Sequence, residues 1–257
     1  MMRLALLSDI HGNEIALEAV LADIDACGGV DGYWVLGDVA AIGYAPVAVI
    51  ERLAKLPGAL FARGNTDRYI VTGARPAPTF ADVRADLALL ETLVEVEQTF
   101  SWTLGAVSAT GWLPWLASFP LEQRLTLPDG TRLLGVHAAP GRDDGPGIHP
   151  GLDDGQLAAV LSGSGADLVC VGHTHVPLDR SVDGVRVVNL GSIGNPTTAD
   201  LRAGYGLLEA GPNGCRVELR RVDYDRREVI AAIERSRQPT ASYLIQFMKG
   251  EMRSRWA

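Results

Sequence analysis

The chain has 257 residues, of which 47% are hydrophobic, and this length and composition suffice for a substantial buried core. Its 31 acidic and 23 basic residues give a net charge of −8, which disfavours contact with a long nucleic-acid backbone. We therefore expect an ordinary globular protein that does not bind long nucleic acids, while small phosphorylated ligands remain open.

The cysteines and the hydropathy pattern indicate the compartment. The 3 cysteines are widely scattered, so neither a disulfide framework nor a thiolate zinc site is implied. No stretch approaches the roughly 20 apolar residues that a membrane span needs, and the first residues lead directly into a strand. We expect a cytoplasmic protein with no membrane partner.

The first strand ends at polar residues. An apolar run at 4–7 predicts a short buried strand, and Asp9 and His11 follow it two residues apart. In an extended chain, side chains at this spacing leave the same face. Gly12 permits a sharp turn, and Asn13 is suited either to cap the following helix or to contact a phosphate at its N-terminus. The stretch indicates a place for a cation and an anion.

Two more strands end in the same way. Apolar runs at 33–36 and 59–62 lead to Asp38 and Asn65, and a helix beginning at Pro46 separates them. Three consecutive strand and helix units argue for a parallel sheet, whose polar loops gather at the carboxyl ends of its strands.

The segment 73–120 has a different character. Apolar residues at 83–94 follow helical spacing and predict one helix of about four turns, and three of the 5 tryptophans lie in this segment. The interpretations that stay open are a helical cap, a homodimer contact, and a plain helical layer over the sheet.

The second half predicts hairpins at 128–130 and 183–184, and strands near 205–208 and 216–219, so we expect a mixed or antiparallel sheet there. The loop 139–155 is rich in Gly, Pro and Asp.

The histidines follow a pattern. Four of the 5 histidines stand at the ends of apolar strands, and the fifth, His149, is expected to be a surface residue of the 139–155 loop. Together with the carboxylates they form a set of oxygen and imidazole donors, which suits Mn, Fe, Zn, Ni or Co better than a sulfur-bound structural zinc. Seven donors are too many for one ion, so we expect two metal ions that share a carboxylate. The predicted ligands are Asp9, His11, Asp38, Asn65, His137, His173 and His175.

Five motifs in this order resemble those of the calcineurin-like metallophosphoesterases: Asp9-Ile10-His11, Gly37-Asp38, Gly64-Asn65, Val136-His137 and Gly172-His173-Thr174-His175. Asn189-Leu190-Gly191-Ser192 resembles a further mark of the compact bacterial and archaeal phosphodiesterase-type branch. The resemblance implies an α/β (α+β) fold, a four-layer αββα sandwich of two mixed sheets flanked by helices. We expect a single domain over 1–257 with a helical, aromatic-rich insert at about 73–120.

The resemblance also implies roles for the ligands. Asp9, His11 and His175 would hold one divalent ion, with Mn the first choice, Asn65, His137 and His173 would hold the other, and Asp38 would bridge both. Two such ions roughly 3.5–4 Å apart can clamp a phosphoryl group and acidify a bridging water to a hydroxide. Hydrolysis of a small phosphodiester or phosphomonoester is the implied reaction, with Asp38, Asn65 and His137 as the catalytic residues.

The chain departs from the family at Thr66, where many relatives carry a histidine. Threonine cannot donate a proton near neutral pH, so we expect substrates with good leaving groups. Each candidate substrate contact has an ordinary structural role as its alternative; the candidates are Asn13, Tyr44, Arg63 and Arg68.

Two other functions stay open. One is a hydrolase of dinucleoside polyphosphates or cyclic nucleotides, in which tryptophans of the insert, such as Trp112, stack on a base. The other is a metal-bound scaffold with little turnover, which the loss of the family histidine at Thr66 permits.

Overall fold

The computed structural model describes residues 1–256, in which ten strands form two five-stranded sheets. The first sheet has the order β10-β9-β1-β2-β3 and the second the order β4-β5-β6-β8-β7. The strands are β1 (Met2–Leu7), β2 (Gly32–Leu36), β3 (Ala59–Ala62), β4 (Glu122–Thr126), β5 (Arg132–Val136), β6 (Leu168–Val171), β7 (Leu178–Val182), β8 (Val185–Asn189), β9 (Ala203–Gly211) and β10 (Gly214–Val222).

Both sheets are mixed. Strands β1, β2 and β3 are parallel, as the repeated strand and helix pattern predicts, and β9 pairs antiparallel with β1. The late hairpin of β9 and β10 therefore completes the first sheet instead of extending the second. In the second sheet β5, β6 and β8 are parallel, while β4 and β7 are antiparallel edge strands.

Helices cover the outer faces of the two sheets. Leu17 and Ile50 pack on the first sheet, Leu157 packs on the second, and a third apolar cluster containing Trp34 and Leu133 lies between the sheets. This αββα layering confirms the predicted fold class. The helices are α1 (Glu14–Ala26), α2 (Pro46–Leu53), α3 (Asn65–Thr72), α4 (Phe80–Ala85), α5 (Leu90–Ala109), α6 (Leu113–Ala117), α7 (Asp154–Leu161), α8 (Arg226–Ser236) and α9 (Ala241–Lys249).

None of the helices formed by residues 1–256 combines the length and the hydropathy that crossing a lipid bilayer requires.

The single helix predicted over 83–94 is wrong. Helix α4 ends at Ala85, because Asp86 is extended (φ −142°) and its side chain accepts the N–H of Ala88, which opens a 3-10 turn before α5. Periodicity alone misses this break, since the apolar spacing continues across it.

Two of the three tryptophans of this segment, Trp112 and Trp115, pack inward. Trp112 and Trp115 contact each other edge to face at 5.5 Å, and Trp115 contacts Phe61 of β3 and Phe119. Both indoles lie against the core of the first sheet.

Side chains of the first sheet pack closely against Gly135 in the second sheet. A Cβ built on Gly135 of β5 would lie 2.7 Å from the ring of Trp34 and 2.8 Å from Leu36. We expect Gly135→Ala to lower the free energy of unfolding by about 1–3 kcal/mol through overpacking, measured by urea denaturation. The control Gly105→Ala, in open space on α5, should instead raise it by about 0.5–1 kcal/mol. Equal effects of the two substitutions would contradict this account of the interface.

Candidate metal centre

The predicted ligands converge where strands of both sheets end. Asp9 and His11 follow β1, Asp38 follows β2, and Asn65 begins α3 directly after β3. In the second sheet His137 follows β5, and two histidines follow β6. Because β1, β2 and β3 are parallel, and so are β5 and β6, these strand ends meet at one edge of the sandwich.

Three side chains form a first group. His175 Nε2 lies 3.1 Å from Asp9 Oδ1 and 3.1 Å from His11 Nε2. His11 Nε2 lies 3.8 Å from the same Asp9 oxygen. These three donor atoms are close enough to share one ion.

A second group lies beside the first. His137 Nε2 is 3.1 Å from Asn65 Oδ1, and His173 Nδ1 is 3.0 Å from the same oxygen. Asp38 Oδ2 lies between the groups, 3.4 Å from His137 Nε2 and 3.8 Å from His11 Nε2. The structure thus brings all seven predicted ligands together, with Asp38 Oδ2 between the two groups.

Backbone carbonyls orient the imidazoles. In three histidines Nδ1–H donates to a carbonyl oxygen, so Nε2 faces the centre; the pairs are His11 with Ala41 at 2.8 Å, His137 with Leu36 at 2.7 Å and His175 with Asn195 at 2.6 Å. His173 is reversed, because its Nε2–H donates to Gly145 O at 2.8 Å and its Nδ1 faces Asn65. Such a carbonyl partner on the second nitrogen is typical of metal-ligating histidines.

The backbone of these loops is strained. Five of the seven residues adopt a left-handed conformation, which is uncommon for residues other than glycine; they are Asp9 (φ 54°), His11 (φ 49°), Asp38 (φ 56°), His173 (φ 67°) and His175 (φ 59°). Clusters of such conformations are found at functional sites, where the surrounding structure holds them in place.

Buried charges determine the electrostatics of the centre. Burial opposes ionisation of Asp38, but His137 and His11 outweigh it and hold the pKa of Asp38 far below its usual value. Burial likewise opposes the charged form of His137, yet Asp38 raises the pKa of His137 to about 10. The pKa of Asp9 is lowered because its attraction to His175 outweighs its burial.

The donor set fits divalent metal ions. Two carboxylates that are at most 3% exposed require compensating positive charge at this position, and the neighbouring donors are imidazoles and an amide oxygen. This mixture of nitrogen and oxygen ligands, without thiolate, suits transition-metal ions.

Sequence reasoning missed Asp67, which supports this arrangement. Its buried carboxylate accepts the backbone N–H groups of Asp38 at 2.8 Å, Val39 at 3.1 Å and Gly64 at 2.9 Å. Burial and the negative charge of Asp38 raise the pKa of Asp67 to about 6. Asp67 is the third residue of α3 and accepts the N–H of the N-cap Gly64, and an acidic residue three positions after a helix start is a sequence signal that could have identified it.

The Asn189–Ser192 stretch braces two of the ligand loops. Asn189 donates through Nδ2 to Gly172 O at 2.8 Å, and Ser192 donates through Oγ to Asp9 O at 2.9 Å. This stretch therefore connects the loop after β6 with the loop after β1.

Two of the predicted substrate contacts have structural roles. Asn13 is 2% exposed, accepts the N–H of Ala16 at 3.1 Å and donates to Gly194 O at 3.1 Å, so both ends of its amide are engaged. The hydroxyl of Tyr44 accepts the N–H of Ile15 at 3.1 Å. Its ring packs against the apolar cluster of α8 and α9.

The predicted arginines are paired with acidic residues of the 139–155 loop. Asp143 accepts from Arg63 at 2.7 Å and from Arg68 at 3.0 Å, and Arg68 also donates to Asp144 at 2.8 Å. Neither arginine lines the cavity of about 300 Å³ that contains His11, Asp38 and His173 among its walls. Both guanidinium groups thus fasten the loop beside the centre.

The C-terminal segment contributes a residue that sequence reasoning did not identify. Arg253 lines the same cavity, and among residues 1–256 it is the one Lys or Arg that does so. Ser254 N–H donates to Thr197 O at 3.0 Å, and Trp256 stacks on His149 at 3.8 Å. His149 is therefore buried, and its expected place on the surface is wrong.

Comparison with known proteins gives consistent matches over almost the whole chain. A protein of Methanocaldococcus jannaschii, described as uncharacterized, is 28% identical over 253 residues, which is 92% of this chain and 93% of the relative. The crystal structure of a metallophosphoesterase from Sphaerobacter thermophilus is 27% identical, has a TM-score of 0.75 and covers 97% of this chain and 98% of that one. A hypothetical protein from Pyrococcus horikoshii shares the fold, with a TM-score of 0.80, 22% identity and coverage of 96% and 98%.

A family model supplies the assignment that the five motifs predicted. The model of the calcineurin-like phosphoesterase superfamily domain matches residues 2–211, a span that contains all seven predicted ligands. The chain therefore belongs to the calcineurin-like phosphoesterase superfamily.

Proposed function

We propose that the protein is a hydrolase that cleaves small phosphodiesters or phosphomonoesters with two divalent transition-metal ions. The main support for the proposal is the pair of adjacent donor groups with Asp38 between them. Asp9, His11 and His175 would hold one ion, Asn65, His137 and His173 would hold the other, and Asp38 would be a ligand available to both. Manganese is our first choice, and the donor set is compatible with Fe, Zn, Ni or Co.

The chain's own residues prepare the site for the ions. When bound, the ions supply Lewis-acid charge to the phosphoryl group and lower the pKa of a coordinated water. The carbonyls of Leu36, Ala41 and Asn195 set the imidazole orientations, and Asp67 holds the backbone that carries Asp38. The donors are thus arranged in advance, which keeps reorganisation during catalysis small.

Three residues that line the cavity bind the phosphate oxygens in this proposal. Arg253 brings a positive charge, while the predicted arginines are paired elsewhere. Thr66 and Thr197 line the same cavity, and their hydroxyls are the two buried side-chain polar atoms in residues 1–256 that lack a hydrogen-bond partner. A substrate phosphate in the cavity supplies the missing partners.

Three further predictions concern base stacking, a homodimer and the cellular location. Trp112 and Trp115 pack on the first sheet, and they do not line the metal-centre cavity. They also do not line a neighbouring cavity between α3, α5 and α9, so base stacking on them is not favoured. A homodimer through the 73–120 segment stays a prediction. A cytoplasmic location is part of the proposal and is supported by the three free cysteines.

The first test is a panel of phosphate esters assayed with metal-stripped protein to which Mn, Ni, Zn, Co and Mg are added in turn. We expect metal-dependent hydrolysis, and we expect Asp38→Asn to lower kcat/KM by more than about 100-fold, beyond the effect typical of residues that only support a ligand. The matched control is Asp183→Asn at an exposed turn, which should change kcat/KM by less than about twofold. Full metal loading with no turnover of any ester would favour the scaffold instead.

The second test concerns Asp67. Asparagine offers one acceptor oxygen in place of two and turns an N–H donor toward backbone N–H groups, so Asp67→Asn should weaken metal binding by about 10–100-fold. Metal affinity is measured by competition with a chromogenic chelator, with Asp183→Asn again as the control. Unchanged affinity in Asp67→Asn would show that the position of Asp38 does not depend on this carboxylate.

The third test concerns Arg253. Arg253→Ala removes a charge-assisted hydrogen bond to the phosphate. It should weaken binding of inorganic phosphate to the metal-loaded protein by about tenfold or more, measured by calorimetry. Metal content should stay the same, because Arg253 is not one of the donors. Arg227→Ala, at an exposed position on α8, is the control. Phosphate affinity that falls equally in both variants would indicate a general charge effect and not a contact.

A further inference from the structure

A second cavity lies beside the metal centre. It has a volume of about 350 Å³, and residues of α3, α5 and α9 line it. Its walls have four residues in common with the metal-centre cavity, namely Ile42, Asn65, Thr66 and Tyr243. A substrate whose phosphate lies at the metal centre can therefore place its alcohol portion in the second cavity.

The lining of this cavity is mostly apolar and aromatic. Tyr69, Val96, Phe100 and Tyr243 contribute ring faces and an aliphatic side chain. Glu95 is the one charged lining residue, and within residues 1–256 it forms no ion pair. Apolar surface favours an uncharged group, and the carboxylate of Glu95 disfavours a second phosphate.

A polar group stands where the two cavities meet. Thr66 lines both cavities and is 3% exposed, and its hydroxyl has no partner in the protein. A substrate that spans the junction presents its ester oxygen there. The hydroxyl can donate a hydrogen bond to that oxygen without transferring a proton.

We propose that the second cavity binds the leaving group, and that the substrate is a phosphate ester of an uncharged aromatic alcohol. This inference rests on the proposed phosphoesterase function. In the reaction, the oxygen of water forms a bond to phosphorus, and the bond between phosphorus and the aromatic oxygen breaks. The electron pair leaves with that oxygen, the water protons pass to solvent, and the phenolate takes a proton from solvent according to its own pKa.

The chemistry of the leaving group agrees with the residue at position 66. A phenol has a pKa of about 10, so it departs as an anion more readily than an alkyl alcohol and has less need of a general acid. Thr66 cannot act as that acid near neutral pH. The lining of the cavity and the inability of Thr66 to act as a general acid thus favour the same class of substrate.

The experiment uses substitutions that fill the second cavity with a bulky side chain. Val96→Trp places an indole in the cavity, and Thr92→Trp does so from a more exposed lining position of α5 that a folded protein tolerates more easily. Gln98→Trp, at an exposed position on the same helix outside the cavity, is the matched control. Each metal-loaded protein is tested for binding of phenylphosphonate and methylphosphonate, and for hydrolysis of the phenyl and methyl esters of phosphate.

We expect wild-type protein to bind phenylphosphonate about tenfold or more tightly than methylphosphonate, since a buried ring removes apolar surface from water. Both filling variants should abolish this preference and lower kcat/KM for the phenyl ester by about tenfold, while binding of methylphosphonate and metal content stay the same. Gln98→Trp should retain the preference.

The outcomes separate the two proposals. Hydrolysis of both esters with a phenyl preference that persists in Val96→Trp and Thr92→Trp would overturn the leaving-group assignment alone. Binding of neither phosphonate and hydrolysis of neither ester by the wild-type protein would overturn the proposed function, and the leaving-group assignment with it.

Discussion

The compensation of two buried carboxylates is the constraint on which the rest of the site depends. Asp9 and Asp38 are removed from water at neighbouring strand ends, and each has histidines within 4 Å. Buried charges of the same sign are costly unless cations lie close by. The fold meets this requirement by bringing imidazoles from both sheets to the same edge, and that arrangement also forms a set of metal ligands.

The backbone conformations of the ligand loops are energetically unfavourable, and hydrogen bonds and packing from the surrounding structure stabilise them. Left-handed backbone at a non-glycine residue costs on the order of 1–3 kcal/mol, and five ligand positions adopt it. Asp67 offsets part of the cost by accepting three backbone N–H groups, and Asn189 and Ser192 tie the loops of the two sheets to each other. The apolar interface around Trp34 packs the two sheets together beneath these loops.

Much of this was predictable because the relevant signals are local. Apolar runs end at Asp9, Asp38 and His137, and spacing of two residues is sufficient to place pairs of side chains on one face of an extended strand. Alternation and hairpin signals also indicated most strands, so the fold class and the seven candidate ligands followed from the sequence and its resemblance to a family. The prediction of one helix over 83–94 is wrong because the backbone at Asp86 is extended and ends α4 there, although the helical spacing of apolar residues continues past it.

By itself, then, the sequence determined which side chains end the strands, since that depends on neighbours in the chain. Tertiary structure alone decided which arginine lines the cavity: Arg63 and Arg68 are held by Asp143, more than 70 residues away, whereas Arg253 of the C-terminal segment is one of the cavity's walls. It also turned Trp112 and Trp115 inward and directed Thr92, Val96 and Phe100 of α5 toward the second cavity. The physical reason is that ion pairing and packing select among partners distant in sequence, and local spacing carries no information about that selection.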